Sequence, residues 1–254
     1  MPMSFPVAAA LAPGVMFVAR LRKGLAPLVA ASSTPYRDAV MTDAPAAYFR
    51  LDEAAGNFVN TIVPAETGVA SGTVTRSVAT LTQDVGDKAI TLSGSGNVDV
   101  STTAYKYSSS FSYEAIVRIT PGSLTSGNNL AVISKAAGGA YLRIKGTGTG
   151  TGVLNWLRSN IADLGSSSVT VSENTTYHVV VTVSAAGVPT FYVNGVAAGT
   201  GTTNTTFTES NNSLRIGQDN FSEYLQGTID EVAIYNSTLS AARVLAHAQA
   251  AGLA

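Results

Sequence analysis

Two adjacent carboxylates, Asp230 and Glu231, sit inside the apolar, strand-like run Gly227-Thr-Ile-Asp-Glu-Val-Ala-Ile-Tyr235. Alternation along an extended chain puts Asp230 on one face with Val232 and Ile234, and Glu231 on the other with Ile229 and Ala233. Neither face is plainly wet, so the pair needs hydrogen-bond donors, a cationic partner or a metal, and reads as a structural polar knot or an ion site. Opposite faces also disqualify the two as the acid and nucleophile of a retaining glycosidase, whose carboxyl groups lie about 5–5.5 Å apart. The histidines, His178 in a strand-like run and His247 in a helix-like one, have no nucleophile motif beside them and read as structural. The run Gly146-Thr-Gly-Thr-Gly-Thr-Gly152 lacks the Gly-Lys-Ser/Thr ending of a phosphate loop and lies between two strand-like runs, as a hairpin tip would. With no cysteine there is no thiolate nucleophile, disulfide or cysteine-bound metal. The sequence therefore predicts no catalytic residue and no enzyme.

The elements that hold these groups are short and β-like. Phe191, Tyr192 and Val193 are strand formers, and Asn194-Gly195 supplies two residues that tolerate positive φ, so the chain folds back there. Strands are predicted at 48–51, 73–80, 88–92, 97–100, 111–119, 130–134, 141–145, 153–158, 177–184, 188–193, 214–217 and 225–235. Two alternate cleanly. Phe111, Tyr113, Ala115, Val117 and Ile119 oppose Ser112, Glu114, Ile116 and Arg118; Tyr177, Val179, Val181 and Val183 oppose His178, Val180 and Thr182. The mixed faces of such strands could form a shallow ligand platform or pack on a neighbour. Ser240 is placed to cap a helix over Ala241 to Gln249 whose stripe is Val244, Leu245 and Ala248, although Arg243 stands where a capping-box Glu would. Tyr36 to Asp43 makes one or two helical turns before Pro45. The pattern predicts an all-β, two-sheet antiparallel sandwich with a short C-terminal helix.

Only 12% of the 254 residues are charged and the net charge is -1, so no basic field draws in nucleic acid. Residues 5–19 are mostly apolar but are broken by Pro6, Pro13 and Gly14 and followed by Arg20, Arg22 and Lys23, which fits neither a signal peptide nor a membrane span. Residues 1–35 therefore read as an extended N-terminal arm, an assembly anchor that another protein must cover, and residues 36–254 as the domain. Such an arm implies an oligomer or a larger assembly.

The ordered set Tyr48-Phe-Arg-Leu-Asp-Glu53, Ser110-Phe-Ser-Tyr-Glu-Ala115, Val132-Ile-Ser-Lys135, Tyr141-Leu-Arg-Ile144, Tyr177-His-Val-Val-Val181, Tyr192-Val-Asn-Gly195, Leu214-Arg-Ile-Gly217 and Gly227-Thr-Ile-Asp-Glu-Val232 resembles laminin-G-like, concanavalin A-like jelly-roll domains from about Ala46 to Ala250. The resemblance implies two packed sheets with first and last strands adjacent, in a carbohydrate-binding, adhesive or structural module. Because some such domains hold calcium at the rim, Asp52, Asp219, Asn220 and Asp230 become candidate calcium ligands, with hydrogen-bonded loop carboxylates as the alternative. Tyr141, Trp156, Tyr192 and Tyr224 become candidate sugar-stacking groups, with a core role as the alternative. Phe49, Ile116 and Tyr177 stand where relatives often carry Trp, which weakens a sugar platform, and the Glu-x-Asp-x-Glu motif of the glucanases is missing.

Tyr36-Arg-Asp-Ala-Val40 with Asp43-Ala-Pro-Ala-Ala-Tyr-Phe-Arg-Leu-Asp-Glu53 is similar to the entrance of such domains in bacteriophage minor tail and virion-surface proteins. It implies a non-enzymatic virion component, assembled in the bacterial cytoplasm, anchored to other virion proteins by residues 1–35 and displaying the jelly roll toward a host surface glycan. The alternative is a secreted or cell-surface carbohydrate-binding protein whose first residues are an atypical leader.

Overall fold

The computed structural model describes residues 33–101, 105, 110–135, 139–158, 162–205 and 212–254. The expected arm before Ser33 lies outside the described residues. The elements are α1 (Pro35–Thr42), β1 (Ala47–Phe49), β2 (Phe58–Val59), β3 (Thr67–Ser71), β4 (Val74–Ala79), β5 (Lys88–Ser93), β6 (Asn97–Val100), β7 (Phe111–Ile119) and β8 (Asn129–Lys135), then β9 (Ala140–Gly148), β10 (Thr151–Arg158), β11 (Ala162–Ser172), β12 (Thr176–Val183), β13 (Pro189–Val193), β14 (Val196–Thr200), β15 (Leu214–Ile216), β16 (Gln226–Tyr235) and α2 (Ala241–Ala251).

Two antiparallel sheets result. The first runs β14-β13-β12-β7-β16-β5-β4 with β1 also on β16, and the second runs β11-β10-β9-β8-β15-β6-β3-β2. The expected first-to-last contact is present: Ala47, Tyr48 and Phe49 pair with Ile234, Ala233 and Val232. The two-sheet jelly-roll expectation holds, with more strands than the sequence suggested. β3, β11 and β14 are rich in Gly, Ala and Ser, residues with little β preference, and were readable only as loops.

Alternation fixes the layers. Phe111, Tyr113, Ala115, Val117 and Ile119 of β7 and Val179, Val181 and Val183 of β12 face the second sheet, where Leu130, Val132, Leu142, Ile144, Leu154 and Trp156 meet them. The opposite, mixed face of the first sheet is not an open platform. Ile116, Val180, Tyr192, Ala233 and Tyr235 pack there with Tyr36 and Val40 of α1 and Val244 and Ala251 of α2, so the chain's own helices cover it. α2 starts as expected, Ser240 Oγ accepting from Arg243 N–H at 3.3 Å, and Arg243 binds the Asp43 carboxylate at 2.8 Å across to the end of α1. The Asn194-Gly195 turn, φ 50 and 79, passes directly beneath α2; a Cβ on Gly195 would stand 2.9 Å from Leu245 Cα. Among the described residues no helix is long and apolar enough to cross a membrane.

Candidate functional site

β16 changes partner part-way along. Gln226 to Ile229 pair with β5, whereas Val232 to Ile234 pair with β1, and Asp230 and Glu231 occupy the gap. Against β7 the register slips there, with Asp230 opposite Ile116 and Ala233 opposite Glu114. Glu231 adopts φ 54, a left-handed conformation that a bulge requires and a glutamate rarely takes. The extra residue overturns the alternation expected from sequence. Asp230 and Glu231 turn to the same region, where each offers an oxygen within 4.8 Å of the others and of Asp87.

Arg50 is the cation of this cluster. Its guanidinium reaches Glu231 Oε1 at 3.2 Å, Asp87 Oδ1 at 2.9 Å, Asp84 Oδ2 at 3.7 Å and Asp52 Oδ2 at 3.6 Å. Tyr48 donates its hydroxyl to Glu231 Oε2, and Leu81 N–H and Thr80 Oγ serve Asp230 Oδ2 at 2.9 and 3.1 Å. Asp230 Oδ1 is buried with no partner among the described residues. Burial first, then the Asp87 charge, holds the Asp230 carboxyl well above the usual range; burial, then Asp230, does the same to Glu231. Asp84 has a separate task. Its two oxygens accept from Tyr36 N–H at 2.8 Å and Arg37 N–H at 3.1 Å, capping α1 from a distant loop where Thr34 makes no side-chain cap. Three carboxylates at one point could hold a hard divalent cation, but here the guanidinium already stands among them.

A second polar node lies under the helices. Glu114, fully buried, accepts from Tyr36 Oη at 2.9 Å, Tyr235 Oη at 2.6 Å, His178 Nε2 at 2.6 Å and His247 Nδ1 at 2.9 Å, while His247 Nε2 reaches Asp43 Oδ2 at 2.7 Å. Burial would raise Glu114, but the charge of His247 and the hydrogen bonds of both histidines hold it well below its ordinary value. Both histidines are buried on this one carboxylate.

By alternation Tyr141, Arg143 and Lys145 of β9 and Asn155 of β10 stand on the face of the second sheet opposite the core. Arg143 of β9, nearly buried, donates to Asn155 Oδ1 at 2.6 Å and to Glu223 Oε2 at 3.0 Å. Asn155 in turn donates to Asp163, and Lys145 approaches Asp163 at 3.4 Å. The β15–β16 loop lies beside this row. Asp219 Oδ1 accepts from Phe221 N–H at 2.8 Å and Glu223 N–H at 3.1 Å, folding the loop on itself. Burial, then a hydrogen bond with the Glu223 carboxyl, pushes Asp219 up to about 7. The fold thereby presents Phe221, 55% exposed, with its ring edge-on to buried Tyr141 at 6.1 Å. Further along the same loop, Ser222, Glu223, Tyr224 and Gln226 line a cleft of ≈ 310 Å³ with Asn129 and Leu130, among others.

The predicted site residues separate accordingly. Asp52 and Asp230 share the Arg50 network, whereas Asp219 organises the β15–β16 loop and Asn220 accepts from Arg215 at 3.4 Å, so the four do not form one coordination sphere. Trp156 lies between the sheets against Phe111 and Tyr113, at ring distances of 5.7 and 5.6 Å, and offers no face to a ligand. Tyr192 is packed beneath the helices and Tyr141 is buried behind Phe221; Tyr224 alone of the four lines the cleft. Sequence reasoning missed Phe221 and Asp87, both in loops without periodic pattern. Phe221 did carry a signal, being the one aromatic of its turn flanked by Asp219, Asn220 and Ser222.

A family model described as the concanavalin A-like lectin/glucanases superfamily, of laminin-G type, matches residues 92–245, more than half of the chain. The chain belongs to that superfamily. No curated protein sequence matches it. Among solved structures, this superfamily member is similar to domain 4 of AbnA, a GH43 extracellular arabinanase from Geobacillus stearothermophilus, in complex with arabinotriose, with TM-score 0.64 at 19% identity over 81% of this chain and 98% of that one. It is also similar to the botulinum neurotoxin serotype D binding domain, with TM-score 0.57 at 15% identity over 83% of this chain and 52% of that one, so it spans about half of the toxin domain. At these identities the likeness is one of fold.

Proposed function

We propose that this protein is a non-enzymatic glycan-binding module displayed on a bacteriophage virion, as a capsid-decoration or minor tail protein, with residues 1–35 anchoring it to other virion proteins. The observation that carries the glycan reading is the β15–β16 loop, which exposes Phe221 and, further along, helps to line a polar cleft. The fold shared with a domain solved with arabinotriose supports it. The non-enzymatic reading follows from the carboxylates. Those at Asp87 and Glu231 are buried and paired with Arg50, and Asp230 is buried on Leu81 N–H and Thr80 Oγ; in the β15–β16 loop Asp219 is buried and both Glu223 oxygens are engaged by Asn129 and Arg143. Neither set offers a free acid facing a free base across a substrate. The virion reading is supported by the apolar run before Arg20 and the phage-like entrance around Tyr36 to Glu53.

A glycan array on the full chain tests the first part, with binding and no release of reducing sugar expected; hydrolysis would refute the non-enzymatic reading. Mass spectrometry of purified particles tests the second. Deleting residues 1–33 should abolish incorporation while leaving a folded domain, and normal incorporation would refute the anchor.

A further inference from the structure

The β15–β16 loop is folded around a carboxyl group of which only one oxygen is served. Asp219 is fully buried, and its Oδ1 takes the Phe221 and Glu223 N–H groups, but Oδ2 meets no donor among the described residues. What stands against this side chain is a second carboxyl, that of Glu223. Glu223 is itself an acceptor on both oxygens, from Asn129 Nδ2 at 2.7 Å and from the Arg143 guanidinium at 3.0 Å. Two accepting oxygens do not bond each other unless a proton lies between them. The buried Oδ2 is therefore satisfied in one state only, with Asp219 protonated there and donating to the Glu223 carboxylate.

The surrounding charges are spoken for. Arg143 of β9 pairs with Glu223, Lys145 of β9 with Asp163 of β11, and Arg215 of β15 with Asp99 of β6 while also donating to Asn220 Oδ1; among the described residues no cation pairs with Asp219. The turn has a cost of its own, since Ser222 adopts φ 59, a left-handed conformation that favours glycine. Burial, then the hydrogen bond with Glu223, lifts Asp219 from its ordinary 3.8 to about 7, and opening the loop to water returns it toward the ordinary value. The closed loop thus holds the proton more tightly than the open one. Its support from Asp219 is full below the ordinary value, is lost as pH rises between the two, and above the upper one closure buries two facing charges.

We propose that the Asp219–Glu223 carboxyl pair is a proton-operated latch, which holds the β15–β16 loop closed in acid and loosens it toward neutral pH, and with it the presentation of Phe221 on Tyr141. The test is amide hydrogen exchange of the full chain in EDTA, read at the Phe221 and Glu223 N–H groups that sit on Asp219 Oδ1 and expressed as protection factors, so that the intrinsic effect of pH on exchange cancels. Protection of these two amides should fall at least about tenfold between about pH 5 and about pH 7 and level off above, while the β7 amides keep theirs. Asp219→Asn carries a permanent donor toward Glu223 and should stay protected throughout that range. Asp219→Ala, which lacks both donor and acceptor, should be unprotected throughout. Wild-type protection that does not change with pH, or that falls equally in Asp219→Asn, overturns the latch. Recovery of protection on adding millimolar calcium at neutral pH would put a cation in the place of the proton and overturn it as well.

Discussion

Replacing His247 with Gln should destabilise the domain in a manner that depends on pH. His247 is fully buried, with Nδ1 2.9 Å from Glu114 and Nε2 2.7 Å from Asp43, so it ties α2 to the first sheet and to the end of α1. Glutamine keeps a polar group there but cannot carry the charge. Removing one partner of a buried ion pair costs about 3–5 kcal/mol, which for a domain of this size lowers the melting temperature by about 6–20 °C. Burial would lower the His247 pKa, but Glu114 and Asp43 raise it above its ordinary 6.5. Its contribution is therefore full below pH 6.5 and disappears as pH rises through the elevated folded value. Glu114, held below its ordinary 4.5, contributes fully above pH 4.5 and loses that contribution as pH falls through the depressed folded value. The pair is at full strength between these two ordinary values. Urea melts of wild type and His247→Gln, taken between about pH 4 and pH 9, should show a stability difference that peaks in that window and narrows as the medium becomes alkaline. A difference that stays constant from about pH 5 to pH 9 would mean that the folded-state imidazole never changes charge, and the reasoning would fail.

Three further outcomes are expected. Arg50→Ala should strongly destabilise the domain near neutral pH, because Asp87 and Glu231 lose their guanidinium, and acidification should recover part of the loss as the carboxyls protonate; a pH-independent loss in thermal melts would contradict this. Because Arg50 occupies the cationic position, millimolar calcium should give no calorimetric heat and no thermal shift with the wild-type chain, and either signal would reassign the cluster as a metal site. Trp156→Ala should cost about 3–5 kcal/mol through the cavity it leaves, and the wild-type emission of this single Trp should be blue-shifted until the chain unfolds, whereas a solvent-like emission maximum from folded protein would refute its burial.

Much of the architecture is legible in the chain where one periodicity persists. The nine residues of β7 and the eight of β12 sort correctly between the two cores, because each alternates apolar side chains without interruption. α2 is announced by Ser240 and its stripe. The carboxylate cluster is not legible by the same rule, because the alternation changes phase inside β16. A trace exists: Ile229 and Val232, three residues apart, face the same core as Ile234, two further on, a spacing that no unbulged strand gives. The mixed face of the first sheet misled for another reason. Strand periodicity says which residues share a face, but only tertiary packing decides whether helices, ligand or solvent cover it. At the site, Tyr224 was found by residue type, whereas Asn129 became visible only when β8 was brought beside the distant Glu223.

The Glu114 node also bears on synthesis. Its donors come from residues 36, 178, 235 and 247, so the contacts around one buried carboxylate span nearly the whole domain. A nascent chain released before α2 would carry Glu114 without His247, and with α1 lacking the helix that packs on it. Contacts of such long sequence separation form late. The node thus closes only once α2 has been made: nascent chains should stay protease-sensitive until His247 has left the ribosome, then become resistant in a single step.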